Sequence, residues 1–200
     1  MVCVTYTETF VDNVNHYYNE THNHPKYAHA TNRFLLGKSI GGVISAYTVI
    51  KHPNKYKGLI GLAGAYKPHP DQQVSSMLMN VLRAVNALYS KLLLRQIFDP
   101  KLIVSNEDIL KKWYNDPLCS KDKIKVGYTV DGFRYCHELP KLVCDINISM
   151  LMMVGNDDCV VSLKGLKMMM TNCKKQGEWE DHYLAKPRCQ PKIKIYEGGG

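Results

Sequence analysis

Gly37-Lys38-Ser39-Ile40-Gly41 is a G-x-S-x-G pentapeptide, and its residue types suit one chemistry, nucleophilic attack by a serine. A serine hydroxyl is a poor nucleophile until a base takes its proton, and it must project from a sharp turn to meet both base and substrate. Glycines two before and two after the serine permit such a turn, since a Cβ at either place is expected to collide with the neighbouring strand and helix. The frame is also right: Arg33-Phe34-Leu35-Leu36 is a short apolar run that stops at Gly37, and SIGGVISAYTVIKH follows with helical spacing. The pattern reads strand, tight turn, helix, with the helix beginning at Ser39. Its N-terminal amides then point at the site, and the Ile40 N–H is available as an oxyanion donor. The competing readings are a glycine-rich turn holding nothing and a phosphate loop. The latter fails on spacing, because neither G-x-x-x-x-G-K-[ST] nor G-x-G-x-x-G is present and Lys38 precedes the serine.

A second group of reactive side chains, Asn156-Asp157-Asp158, follows another apolar run, Ile146 to Val154, and a glycine, Gly155. The elements between and around the two groups alternate. Residues 7–18 have helical spacing, and Gly58 to Gly64 (GLIGLAG) is a short buried strand after the break at His52-Pro53. Residues 74–94 carry a strong amphipathic stripe, whose apolar side must lie against something. From Asp99 to about Lys141 the pattern weakens into short helical and loop segments. Residues 162–173 suit a helix, and Lys192 to Tyr196 (KIKIY) alternates like a last strand. Strands alternating with helices predict an α/β fold with an open, mainly parallel sheet, in which functional groups collect at the carboxyl ends of strands. Both reactive groups fall there.

The string FLLGKSIGGVISAYTVIKHPNKYKGLIGLAGAY resembles the nucleophile-elbow region of α/β-hydrolases of the monoacylglycerol lipase and lysophospholipase group, whose members read much like LLGHSMGG there. YNDPL at 114–118, ELPKL at 138–142, SMLMMVGNDDCVVS at 149–162 and KIKIYEGGG at 192–200 resemble that group's cap end, pre-strand segment, acid turn and last strand, in the same order. The resemblance covers most of residues 30–200. It implies the α/β-hydrolase fold, a mainly parallel sheet with flanking helices, and a helical cap inserted at about 65–141. It also implies a partial domain over 1–200, with the N-terminal strands missing.

Carried over by motif, the resemblance makes Ser39 the nucleophile, with Gly37 and Gly41 framing the elbow. It takes the acid from the G-x-x-D turn at Asp158, with Val161 three residues on supporting that register and Asp157 as the alternative. The chain order in this fold is serine, acid, histidine, and the base follows the last strand. His182 is the one histidine after Asp158, and it lies in a polar insertion before that strand. The base is therefore expected beyond Gly200, and the 200 residues alone are expected to have little or no esterase activity. Nothing before Ser39 resembles the second oxyanion loop. The activity implied is hydrolysis of carboxylic esters of lipids, lysophospholipid or monoacylglycerol. The alternatives are an esterase, thioesterase or peptidase with the same triad, or a non-catalytic module that keeps the pocket for binding.

Composition restricts the remaining classes. With 45% apolar and 22% charged residues in 200, the chain is an ordinary globular domain able to bury a core. No stretch approaches the ~20 apolar residues of a membrane span, and the first residues lack a basic-then-apolar signal. A net charge of +8 suits nucleic acid or an anionic surface only if concentrated, and the lysines are scattered, so no nucleic acid partner is expected. Seven cysteines without a C-x-x-C pair or zinc-ligand spacing imply reduced structural thiols, with Cys173 and Cys189 the one pair bracketing a loop. The expectations are thus a cytoplasmic protein in peripheral contact with membranes, a lipid ester as partner, and no cofactor or metal.

Overall fold

The structure, a computed structural model, describes residues 6–70, 73–95, 99–104, 106–119, 123–155, 158–172 and 192–196. Four parallel strands form one sheet in the order β1-β2-β5-β6: β1 (Phe34–Lys38), β2 (Gly58–Leu62), β5 (Ser149–Gly155) and β6 (Lys192–Tyr196). Parallel neighbours need crossovers, and α2 (Ile40–Lys51) supplies the first, joining β1 to β2. All four strands run the same way, so the turns after β1 and β5 emerge on one edge of the sheet. A separate antiparallel pair, β3 (Leu93–Arg95) with β4 (Lys123–Lys125), lies in the long connection between β2 and β5. That connection also holds α3 (Ser76–Tyr89), α4 (Glu107–Asn115) and α5 (Val126–Leu142).

The core lies between the sheet and its helices. Val43, Ala46 and Val49 of α2 meet Leu59 of β2, Met150, Met152 and Val154 of β5, and Leu139 of α5. Leu166 and Met170 of α6 (Leu163–Asn172) close the same cluster. Side chains alternate along a strand, so the β1 residues facing away from α2, Phe34 and Leu36, are left 62% and 61% exposed. α1 (Tyr6–Asn23) is tied in by a long-range bond: the Thr7 N–H donates to Asp131 Oδ2 of α5 at 2.7 Å, and Arg134 pairs with Asp131 Oδ1 at 3.1 Å. A carboxylate is the right group there, since the first amides of a helix have no carbonyl within it.

Three elements depart from the sequence reading. The β1 strand does not stop at Gly37 but runs through it to Lys38. α5 is a full helix where only short segments are expected. Gly127, Gly132 and Pro140 dilute its periodicity, yet Val126, Tyr135 and Leu139 bury one side of it. The 74–94 stripe is also shorter and barer than expected. The helix α3 ends at Tyr89, and of its residues Leu82 is the buried one, while Met77 is 79% and Leu88 78% exposed. Periodicity shows that a helix is amphipathic without showing what covers it. Leu93 and its neighbours leave the helix to pair with β4.

His52, at the end of α2, has its Nε2 buried with no hydrogen-bond partner among the described residues. Burial first, then the ammonium groups of Lys55 and Lys51, hold its imidazole below the ordinary range, against a weaker pull from Asp12. The unfolded chain takes up that proton near pH ~6.5, the folded chain only at lower pH. The His52 contribution to stability is therefore complete above that value and is lost as pH falls below it. Thermal unfolding followed by circular dichroism should show Tm dropping between pH 7 and pH 5, and a shallower drop for His52→Gln.

Candidate active site

Ser39 occupies backbone space that a residue with a side chain rarely visits, φ 51° and ψ −123°. Such a conformation costs on the order of 1–3 kcal/mol and persists only where its surroundings over-determine it. Three hydrogen bonds do so here. The Ser39 N–H donates to the Leu62 carbonyl at the end of β2 (3.0 Å), and the Ser39 carbonyl accepts from Gly42 and from Ala65 (2.9 Å each). The serine sits at the N-cap of α2, but its hydroxyl caps nothing in that helix. It is therefore left for other chemistry. Ile40 is the first residue of α2, and its amide belongs to the helix turn that faces the site.

The two glycines of the motif are not equivalent. A Cβ on Gly37 would run into the Gly41 carbonyl and the Ser45 hydroxyl, so only glycine fits between β1 and α2. A Cβ on Gly41 would meet nothing within 4 Å, which corrects the expectation that both glycines avoid a collision. At Gly41 the helix turns the missing side chain toward open space. Crowding resumes at Gly42, whose added Cβ would lie 2.9 Å from the Gly64 Cα. Behind both, the Tyr66 ring fills the space, and its hydroxyl donates to Met152 Sδ at 3.2 Å. Burial alone holds that phenol well above its ordinary range, so it stays neutral.

Asp158 follows β5, and its Oδ1 accepts from the Val160 and Val161 amides at 2.8 and 2.7 Å. Oδ2 has no partner among the described residues. The turn is held from outside: the His69 N–H donates to the Val160 carbonyl and the Ser162 N–H to the Lys67 carbonyl, both at 2.9 Å. Ser162 then starts α6, its hydroxyl accepting from the Gly165 amide at 3.0 Å. Asn156, Asp157, His182, Cys173 and Cys189 lie outside the described residues.

Ser39, Ile40 and Asp158, which are far apart in the chain, line one cavity of about 570 Å3. Its walls are largely apolar, from Leu62, Leu102, Ile103, Ile124 and Val154, with Phe133 and Cys136 contributed by α5. Burial pushes the Cys136 thiol up to about 12, so it presents a neutral wall. The α5 lining and Lys38, which also borders the cavity, were not singled out by the sequence. Ala63 is a further residue at the cavity with positive φ (44°), held by its N–H to the Met153 carbonyl at 2.7 Å. No histidine is among the described residues that line it. Among the described residues there is likewise no cluster of metal-ligating side chains.

A strained serine between a parallel strand and a helix, with a carboxylate turn from a later strand on the same cavity, defines an α/β-hydrolase. Residues 2–183 match the serine aminopeptidase S33 family, and the chain belongs to it. It is 23% identical over 167 residues to a monoglyceride lipase homolog of monkeypox virus, covering 82% of this chain and 53% of that protein. Human monoglyceride lipase is 22% identical, with 82% and 50% covered. The chain thus spans about half the length of the curated relatives it matches. Among solved structures, a monoacylglycerol lipase of Paleococcus ferrophilus superposes with a TM-score of 0.77 at 20% identity, over 98% of this chain and 66% of that one. A soluble variant of monoglyceride lipase from Saccharomyces cerevisiae, in complex with a substrate analog, gives 0.73 at 18%, over 96% and 60%.

The unequal glycines lead to unequal variants. Gly37→Ala should lower the unfolding free energy by about 1–3 kcal/mol, because backbone must move to admit the methyl group. Gly41→Ala should stay within about 1 kcal/mol of the parent, on the stabilising side, as alanine favours a helix. Urea unfolding of both variants measures the difference.

Proposed function

We propose that this chain carries the nucleophile and acid of a serine hydrolase that cleaves carboxylic esters of lipids, of the lysophospholipase or monoacylglycerol lipase type. The observation that carries the reading is the strained Ser39, its hydroxyl unused in the α2 cap, on the same largely apolar cavity as Asp158. In this mechanism Ser39 Oγ attacks the acyl carbonyl while a histidine takes its proton. The Ile40 N–H donates to the oxyanion, and the histidine returns the proton to the departing alcohol. Water, deprotonated by the same histidine, then releases the fatty acid and restores Ser39. The role of Asp158 is to orient that histidine and stabilise its imidazolium through the unpartnered Oδ2. The base in this reading is a histidine beyond Gly200, since this fold places it after the last strand.

Residues 65–141 act as the cap, and the acyl chain lies between it and the sheet edge. The exposed apolar residues of α3 give the cap a surface for peripheral contact with lipid, and no described helix is long and apolar enough to cross a membrane. No cofactor enters the mechanism. A second reading, a module that binds such lipids without cleaving them, is favoured by the lack of a histidine among the described cavity residues.

Turnover separates the two. Protein isolated from its source should hydrolyse long-chain monoacylglycerol or lysophospholipid. Ser39→Ala should lower kcat at least about 1000-fold, and Asp158→Asn about 100- to 10,000-fold, with Tm little changed. The 200 residues alone should be at least about 100-fold slower than the source protein, for want of the base. Turnover that survives Ser39→Ala would refute the assignment. Tight binding of the same lipids with no turnover by the source protein would favour the non-catalytic reading.

A further inference from the structure

We propose that Lys38 selects ligands whose headgroup carries a phosphate, in preference to neutral glyceryl headgroups. The inference rests on the lipid-ester reading of the cavity and narrows its substrate class. Among the described residues, Lys38 and Asp158 are the two charged ones bordering the cavity. Asp158 binds two backbone amides through Oδ1, and in the proposed reading it binds the histidine through Oδ2. Lys38 has neither an ion pair nor a side-chain hydrogen bond among the described residues.

Position adds to this. Lys38 is the last residue of β1 and precedes Ser39 directly, so a group that meets it lies close to the acyl carbon under attack. The N-terminus of α2 carries partial charge of the same sign at the same edge. The rest of the wall, Leu62, Ile103, Ile124 and Val154 among it, is apolar, whereas Lys38 is solvent-exposed at its border. The ligand these features fit is a single-chain amphiphile: a hydrocarbon tail against the apolar wall and a phosphate at Lys38. A neutral glycerol headgroup would leave the ammonium without a counter-charge.

Binding by the 200-residue chain tests this without depending on turnover. The probes are dodecyl phosphate and 1-O-dodecylglycerol, equal in tail and resistant to ester cleavage, titrated below their micellar concentrations by calorimetry. Dodecyl phosphate should bind about tenfold more tightly, as a charge-assisted contact does. In Lys38→Gln the ratio should fall to within about twofold, and Lys38→Arg should restore it. Equal affinity for the two probes in the parent, or a preference that persists in Lys38→Gln, would overturn the inference while leaving the lipid site intact. Binding of neither probe would sink the lipid-ester reading and this inference with it.

Discussion

A single strained peptide unit governs this structure, the one at Ser39. Its positive φ is unfavourable by itself, and it is held because β2 and the turn after it hydrogen-bond both of its backbone polar groups. The Leu62 carbonyl comes from the strand next to β1 and the Ala65 amide from the turn after it, so the conformation of Ser39 depends on the β1–β2 pairing being in register. Gly37 contributes from the other side, where its missing side chain lets α2 start against the strand. Tyr66 then packs behind the turn among Gly42, Gly61 and Gly64. Sheet pairing, helix start and buried aromatic therefore converge on one torsion angle.

The parallel sheet turns that local feature into a site. Because β1, β2 and β5 run in the same direction, Ser39 and Asp158 emerge on one edge although 119 residues apart. The 67–69 segment after β2 bonds to the 160–162 segment after β5 and so ties the turn that holds Asp158 to the loop after β2. The cavity above is closed by α5, which is anchored at its far end in the core through Tyr135 and Leu139 and at its near end to α1 through Asp131. A wall anchored on both sides gives the cavity a defined shape.

What could be read from the sequence was what local patterns encode. The strand, turn and helix around Ser39 and the parallel order of the strands follow from short-range periodicity and glycine placement. The long connection was harder, because its elements take their identity from tertiary contacts. α5 contains two glycines and a proline and reads weakly, yet it forms because the core and α1 claim its apolar and acidic residues. The reverse holds for α3, whose strong stripe finds a buried place for Leu82 alone. The motif also explained its two glycines by one cause, whereas the geometry of the helix start crowds Gly37 and frees Gly41. Lys38 entered the sequence reading only as an argument against a phosphate loop, and the structure places it at the cavity.

The most direct test of the account is fluorophosphonate labelling of the protein from its source, with the adduct mapped by peptide mass spectrometry. A strained serine poised for attack, supplied with its base, should take the label at Ser39, and Ser39→Ala should abolish it. Labelling at another serine, or none in protein that still unfolds cooperatively, would contradict the claim that the strain at Ser39 serves a nucleophile.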